Sequence, residues 1–86
     1  MTPLVTGEAR RLVLYVREGC HLCDVFLVDM GLDLGSTSAP PTIVDVDGSP
    51  ALAIEFGLRV PVLTLAGTVV CEGRYDSLRV RDALQV

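Results

Sequence analysis

The chain has 86 residues, half of them hydrophobic, and its seven basic residues are all arginine, set against eleven acidic residues for a net charge of −4. That length supports one compact domain and not two. The absence of lysine removes P-loop and Schiff-base chemistry, and an acidic chain without a basic run is a poor binder of nucleic-acid backbones. The uninterrupted apolar stretches are only a few residues long, too short to cross a bilayer, and the start Met1-Thr2-Pro3-Leu4-Val5 has no signal-peptide pattern. The expectation is a soluble, cytoplasmic, monomeric protein with a loose tail at 1–10 and one domain at 11–86, meeting neither membrane nor nucleic acid.

In chain order, Leu12-Val13-Leu14-Tyr15-Val16 is continuously apolar and rich in strand formers, as suits a strand covered on both faces. Gly19 permits a turn. Cys23, Phe26, Leu27 and Met30 then recur at helical spacing, with Gly31 as the expected stop and a loop from Leu32 to Pro41. Thr42 to Val46 reads as a second strand, Asp47-Gly48 as a turn, and Ser49-Pro50 as a helix start. The short helix runs from Pro50 to Phe56 with Leu52, Ala53 and Phe56 inward, and Gly57 ends it. Val60 to Leu65 and Thr68 to Cys71 read as strands joined at Ala66-Gly67. Asp76 or Ser77 caps a last helix carrying Val80, Ala83 and Leu84 on one face. The order β-α-β-α-β-β-α is α/β. Its first crossover is parallel and its last two strands form a hairpin, giving a four-stranded mixed sheet flanked by helices.

Three cysteines are an odd count, so at least one thiol stands outside any pairing. Cys20 and Cys23 follow the first strand and open the first helix. Residues three apart on a helical turn are neighbours with Cβ atoms about 5–6 Å apart, and a modest adjustment closes a disulfide. At the helix N-terminus, unsatisfied N–H groups and the positive end of the dipole stabilise a thiolate, lowering its pKa from about 8.5 toward physiological pH. Arg17 and a protonated His21 add to this, while Glu18 and Asp24 oppose it. Cys20 in the turn reads as the nucleophile, and Cys23 on the inward stripe as the resolving thiol. Two alternatives compete. A zinc site needs four ligands, and only Cys71 and His21 remain, the latter lying between the first two cysteines. Haem attachment needs His after the second cysteine, where Asp24 stands. Cys71 reads as a buried small hydrophobe, and Tyr15 and Phe56 as core. Tyr75 either flanks the site or packs under the last helix. Asp45 and Asp47 have no partner pointing to acid–base or metal chemistry.

From Leu12 to Leu84 the chain resembles the small bacterial glutaredoxin-like proteins of the thioredoxin-fold superfamily. Three segments carry the resemblance: Leu14-Tyr15-Val16-Arg17-Glu18-Gly19-Cys20-His21-Leu22-Cys23-Asp24, Val44-Asp45-Val46-Asp47, and Phe56-Gly57-Leu58-Arg59-Val60-Pro61-Val62-Leu63. It implies a thioredoxin fold and a Cys20–Cys23 dithiol that reduces protein or glutathione mixed disulfides. It also implies a cis peptide bond before Pro61, leaving the Val60 backbone to pair with an extended substrate, and Arg17 as a cation toward glutathione. No permanently bound cofactor or metal is implied. Glutathione enters as a co-substrate and a thioredoxin-type reductase as an electron donor.

The chain departs from that pattern in two places. His21-Leu22 stands between the cysteines where glutaredoxins commonly have Pro-Tyr. Cys71-Glu72-Gly73-Arg74-Tyr75-Asp76 has one glycine where they carry a glycine pair. There Glu72 is expected to repel a glutathione carboxylate and Arg74 to replace the lost contact. Two other functions use the same cysteines: a Cu or Zn carrier of the ferredoxin-like βαββαβ type, and a thioredoxin-fold binding module without turnover.

Overall fold

In a computed structural model, residues 11–86 are described; the expected tail at 1–10 lies outside them. Leu12–Val16 forms β1, which pairs in parallel with β2 (Thr42–Asp45) and antiparallel with β3 (Val62–Leu65). β4 (Thr68–Glu72) pairs antiparallel with β3, so the sheet order is β2-β1-β3-β4. β1 is thus flanked on both edges and covered on both faces, which is why its sequence is apolar without alternation. The helices are α1 (His21–Leu34), α2 (Pro50–Phe56) and α3 (Ser77–Leu84).

Each face of the sheet has its own core. Leu12, Leu14 and Leu63 point to one side, where Phe26, Met30 and Leu34 of α1 and Val80 and Leu84 of α3 bury them together with Cys71. Tyr15 and Val62 point to the other, against Val46, Leu52, Val60 and Phe56. The period-two alternation of a strand sorts adjacent residues of β1 between these cores. The Tyr15 and Phe56 rings lie 4.7 Å apart, joining β1 to α2.

Three sequence expectations about local starts, turns and stops hold in the structure. Ser49 caps α2 with Pro50 at its first position, and Gly57 closes it. Ala66 and Gly67 turn the hairpin, both with positive φ (53° and 84°), as a two-residue loop between twisted strands demands. Asp76 caps α3 through its side chain and the Arg79 N–H.

Other boundaries move for tertiary reasons. Gly31 does not stop α1. The helix runs to Leu34, and Gly35, at φ 51°, donates its N–H to the Gly31 carbonyl at 2.9 Å. An interior glycine costs about 1 kcal/mol, and the extra turn recovers more by burying Leu34 and engaging Asp33. The loop is correspondingly shorter than the expected 32–41. Val46 leaves β2 for a single 3-10 turn, Val46–Gly48, because the Asp45 carboxylate accepts the Asp47 N–H at 2.8 Å and Val46 drops into the second core. β3 starts at Val62, since Pro61 has no N–H for the ladder. In β4 the register skips Val70 between Leu63–Cys71 and Thr64–Val69, a bulge.

Candidate functional site

The pairing directions bring four chain segments to one end of the sheet. β1 and β2 end there, β3 begins there opposite Tyr15, and β4 ends there with Glu72 opposite Val62. The loop carrying Cys20, the 3-10 turn, the Gly57–Pro61 segment and the stretch after Glu72 are therefore neighbours. The Val60–Pro61 peptide is cis, as the resemblance implies, and the Pro61 carbonyl accepts the Gly73 N–H at 2.8 Å.

Cys20 is the N-cap of α1. Its backbone is extended, and its Sγ accepts the Cys23 N–H at 3.1 Å. The cap position normally holds a side-chain oxygen that satisfies one of the free N–H groups of the first turn; here a sulfur does so. Cys20 and Cys23 form a disulfide with a Cα–Cα distance of 5.2 Å, within the ordinary range. Cys23 is buried, 3% exposed, and shares its stripe with Phe26 and Met30, whereas Cys20 is only partly buried. His21 and Leu22 between them are exposed.

Arg17 turns to carboxylate and carbonyl partners. Its Nε and Nη2 donate to the two Asp47 oxygens at 3.0 Å each, and Nη1 donates to the Gly57 carbonyl at 3.1 Å. This fork joins the end of β1 to the 3-10 turn and to the end of α2, and the Asp47 hydrogen bond raises the Arg17 pKa. Asp45 and Asp47, for which the sequence showed no partner pointing to acid–base or metal chemistry, are the turn's own brace and Arg17's counter-charge. Gly57 is required by the same packing, because a Cβ there would lie 2.9 Å from Arg17 Nη2 and meet the Ala53 carbonyl. Arg59 is likewise engaged. Its Nη2 meets Glu72 Oε1 at 2.7 Å, its Nε donates to both Glu72 oxygens, and its guanidinium lies 5.1 Å from the Phe56 ring centre. Glu72 is held below its usual pKa by that hydrogen bond, so the repulsive carboxylate expected from sequence is a neutralised one.

Arg74 is exposed, and among the described residues it has no hydrogen-bond or ion-pair partner. No backbone hydrogen bond among the described residues engages Val60. Tyr75 packs under the helices. Its ring meets Phe26 edge-on at 5.5 Å and its hydroxyl donates to Asp33 at 2.6 Å. Cys71 is a buried free thiol in the first core, with burial pushing its pKa up, as the filler reading requires. Asp47, Gly57 and the Glu72 pairing were missed in the sequence. Arg17 and Asp47 are 30 residues apart, and no local spacing signals such a contact.

Among the described residues no group of three or more His, Cys, Asp and Glu side chains is placed to hold a metal ion. No helix among them is long and apolar enough to cross a membrane. The presence of α2 between β2 and β3 departs from the βαββαβ order of the metal-carrier alternative.

Comparison with known proteins agrees with this architecture. The chain is similar to protein XcR50 from X. campestris in its crystal structure, at 35% identity over 86% of this chain and 95% of that one, with a TM-score of 0.66. It is similar to protein Ne2328 from Nitrosomonas europaea at 31% identity over 87% and 91% of the two chains, with a TM-score of 0.74. Fasciola hepatica thioredoxin matches at 17% identity over 95% and 86%, with a TM-score of 0.52, a likeness of fold. No curated protein matches. The family model described as Glutaredoxin-like domain (DUF836) matches residues 11–85, and the chain belongs to that family, with a thioredoxin fold.

Proposed function

We propose that the protein is a thiol–disulfide oxidoreductase that works through the Cys20–Cys23 pair. The observation that carries this reading is the sulfur cap. Cys20 Sγ sits at the start of a 14-residue helix, accepts the Cys23 N–H, and lies within bonding reach of Cys23. In the dithiol form the same N–H and the helix dipole stabilise the Cys20 thiolate, the nucleophilic species.

The exchange runs in two steps. The Cys20 thiolate attacks one sulfur of a substrate disulfide, forming a mixed disulfide and expelling the other substrate sulfur as a thiolate, which takes a proton from solvent. Cys23, deprotonated, then attacks Cys20 Sγ. The Cys20–Cys23 disulfide forms and the second substrate thiol leaves. Two electrons have passed from the protein dithiol to the substrate disulfide. A thiol donor, either glutathione or a thioredoxin-type reductase system of the cytoplasm, returns them. The uneven exposure of the two cysteines supports this division, since Cys20 faces arriving substrate and Cys23 is shielded until a mixed disulfide forms. His21 and Arg74 flank the route of approach, and the backbone of Val60 beside Pro61 offers an edge for an extended substrate.

The test uses the two single substitutions. With Cys20→Ser, reduction of a small disulfide falls to the uncatalysed background. With Cys23→Ser, a stable mixed disulfide accumulates and is seen by mass. Equal loss in both variants with no trapped adduct overturns the assignment. Tight binding of Cu(I) or Zn by a wild-type protein inert toward disulfides gives the site to the carrier reading.

A further inference from the structure

Three chain segments meet at Arg17. Its backbone carbonyl accepts the Cys20 N–H at 3.2 Å, closing a turn over Arg17-Glu18-Gly19-Cys20. Gly19 stands in that turn at φ 76°, the left-handed position that a type II turn requires. The side chain leaves in the other direction. Its fork on Asp47 ties it to the 3-10 turn, and its bond to the Gly57 carbonyl ties it to the end of α2. The last carbonyls of a helix have no partner inside it and lie at the negative end of the dipole, so a guanidinium is well received there. Beyond Gly57 the chain leads directly into the cis Val60–Pro61 peptide. One residue therefore holds the turn that carries Cys20 and the arm that leads to Pro61.

A cation in this place can serve by charge or by position. A lone surface ion pair fixes little, but here all three guanidinium nitrogens donate, two of them to the two oxygens of one carboxylate. That arrangement restrains direction as well as distance. The packing leaves no slack either, because the Cβ that Gly57 lacks would lie 2.9 Å from Arg17 Nη2. Asp47 balances the charge within the chain.

Resting on the oxidoreductase reading, we propose that Arg17 is a positioning residue. Held by Asp47 and Gly57, it fixes the turn that presents Cys20 to Cys23 and to an arriving disulfide, and it acts through its backbone carbonyl on the Cys20 N–H. With the fork intact, Cys20 stays extended at the N-cap with its Sγ on the Cys23 N–H. Without the fork the turn is held only by β1, whose last paired residue is Val16, and Cys20 spends less time within reach of Cys23. Lysine keeps the charge but replaces the planar fork with a single point, so it does not hold both partners. A cation that served by charge would behave in the opposite way. Lysine would do as well, and loss of Asp47, which frees the guanidinium and removes an anion, would speed exchange.

The test compares wild type, Arg17→Lys, Asp47→Ala and the double variant by two measurements. One is the rate of reduction of bis(hydroxyethyl) disulfide, which is small and uncharged. The other is the equilibrium constant for closing the Cys20–Cys23 bond against dithiothreitol, whose oxidised form takes the two electrons and two protons of the protein dithiol. Each single substitution is expected to lower both quantities by about 10-fold, the loss of an oriented pair. The double variant falls no further, because the two side chains act as one unit. The Tm of the reduced proteins stays within about 4 °C of wild type, since an ion pair this exposed adds little to global stability. A wild-type rate in Arg17→Lys, or faster exchange in Asp47→Ala, gives Arg17 an electrostatic role and overturns the inference. So does a fall in rate that only matches a loss of folded protein. A wild-type protein that exchanges no disulfide overturns the oxidoreductase reading. The closing constant then decides for Arg17 separately, and equal values in all four proteins overturn the positioning role.

Discussion

The two ends of α1 use polar groups in contrasting ways. At the N-terminus, the free N–H groups meet a partly exposed sulfur, and the neighbouring arginines are restrained in ion pairs about 40% exposed. At the C-terminus, Asp33 gathers the hydroxyls of Tyr75 and Ser77 at 2.6 and 2.7 Å and the Arg81 guanidinium, which also reaches the Asp33 backbone carbonyl at 2.9 Å. A carboxylate in the last turn opposes the helix dipole, so it is tolerated only because donors from the Tyr75–Arg81 stretch converge on it. One end leaves the Cys20 sulfur partly exposed; the other uses its hydrogen bonds to fasten α1 to α3. On the proposed function, chemistry and stability are separated along a single helix, with Phe26 and Met30 packed between them.

That separation can be broken from either side. The largest effect on function belongs to Cys20→Ser, which stops exchange altogether. The reduced forms of variant and wild type, compared in urea, should differ in stability by no more than about 0.5 kcal/mol, since the residue is only partly buried. Phe26→Ala is the converse. It opens a cavity beneath Cys23 and beside Tyr75 and should cost about 3–5 kcal/mol in equilibrium unfolding, a large share of the stability of a domain this size. Asp33→Ala leaves the Tyr75 and Ser77 hydroxyls and Arg81 without their acceptor. It should lower Tm by about 5 °C or more, while the exchange rate of the folded protein stays at the wild-type value. A matching loss of exchange at temperatures where the variant remains folded would show that the two ends of α1 are coupled.

Acid sharpens the same comparison. Hydrogen bonds from Tyr75, then Ser77 and Arg81, hold the Asp33 carboxyl down at about 2. A depressed carboxylate stabilises the fold above its unfolded pKa of about 4 and stops doing so as pH falls through its folded value. Unfolding curves should therefore show a loss of stability between about pH 4 and pH 2 in the wild type and a flatter course in Asp33→Asn. The smallest change is at Gly31, where an added Cβ meets nothing within 4 Å. Gly31→Ala should raise stability by about 0.5–1 kcal/mol, because it lies inside a helix. A decrease would mean that the glycine serves the crevice it shares with Pro40 and Pro41.

Much of this was legible in the residues. The Ser49-Pro50 start, the Ala66-Gly67 turn and the stripe of Cys23, Phe26, Leu27 and Met30, of which the structure leaves only Leu27 exposed, are local patterns, and local patterns report φ/ψ preference and period directly. The cysteine pair was legible for the same reason: three residues separate its members, and one helical turn brings them together. Gly31 misled because propensity is a weak prior. The extra turn is held by Asp33 and Leu34 against residues more than 40 positions away. Arg17 and Glu72 show a different limit. Their charges were visible in the sequence and their partners were not: a cation toward glutathione and a repelling anion were expected, and the fold holds each in an ion pair within the chain.

The sequence by itself determined the element order, the helix and hairpin punctuation and the Cys20–Cys23 spacing, since each depends on interactions within a few residues. Only the tertiary structure decided which charges at the site remain available. Asp47 and Glu72 reach Arg17 and Arg59 across 30 and 13 residues of chain, through a sheet register that no short window of sequence contains.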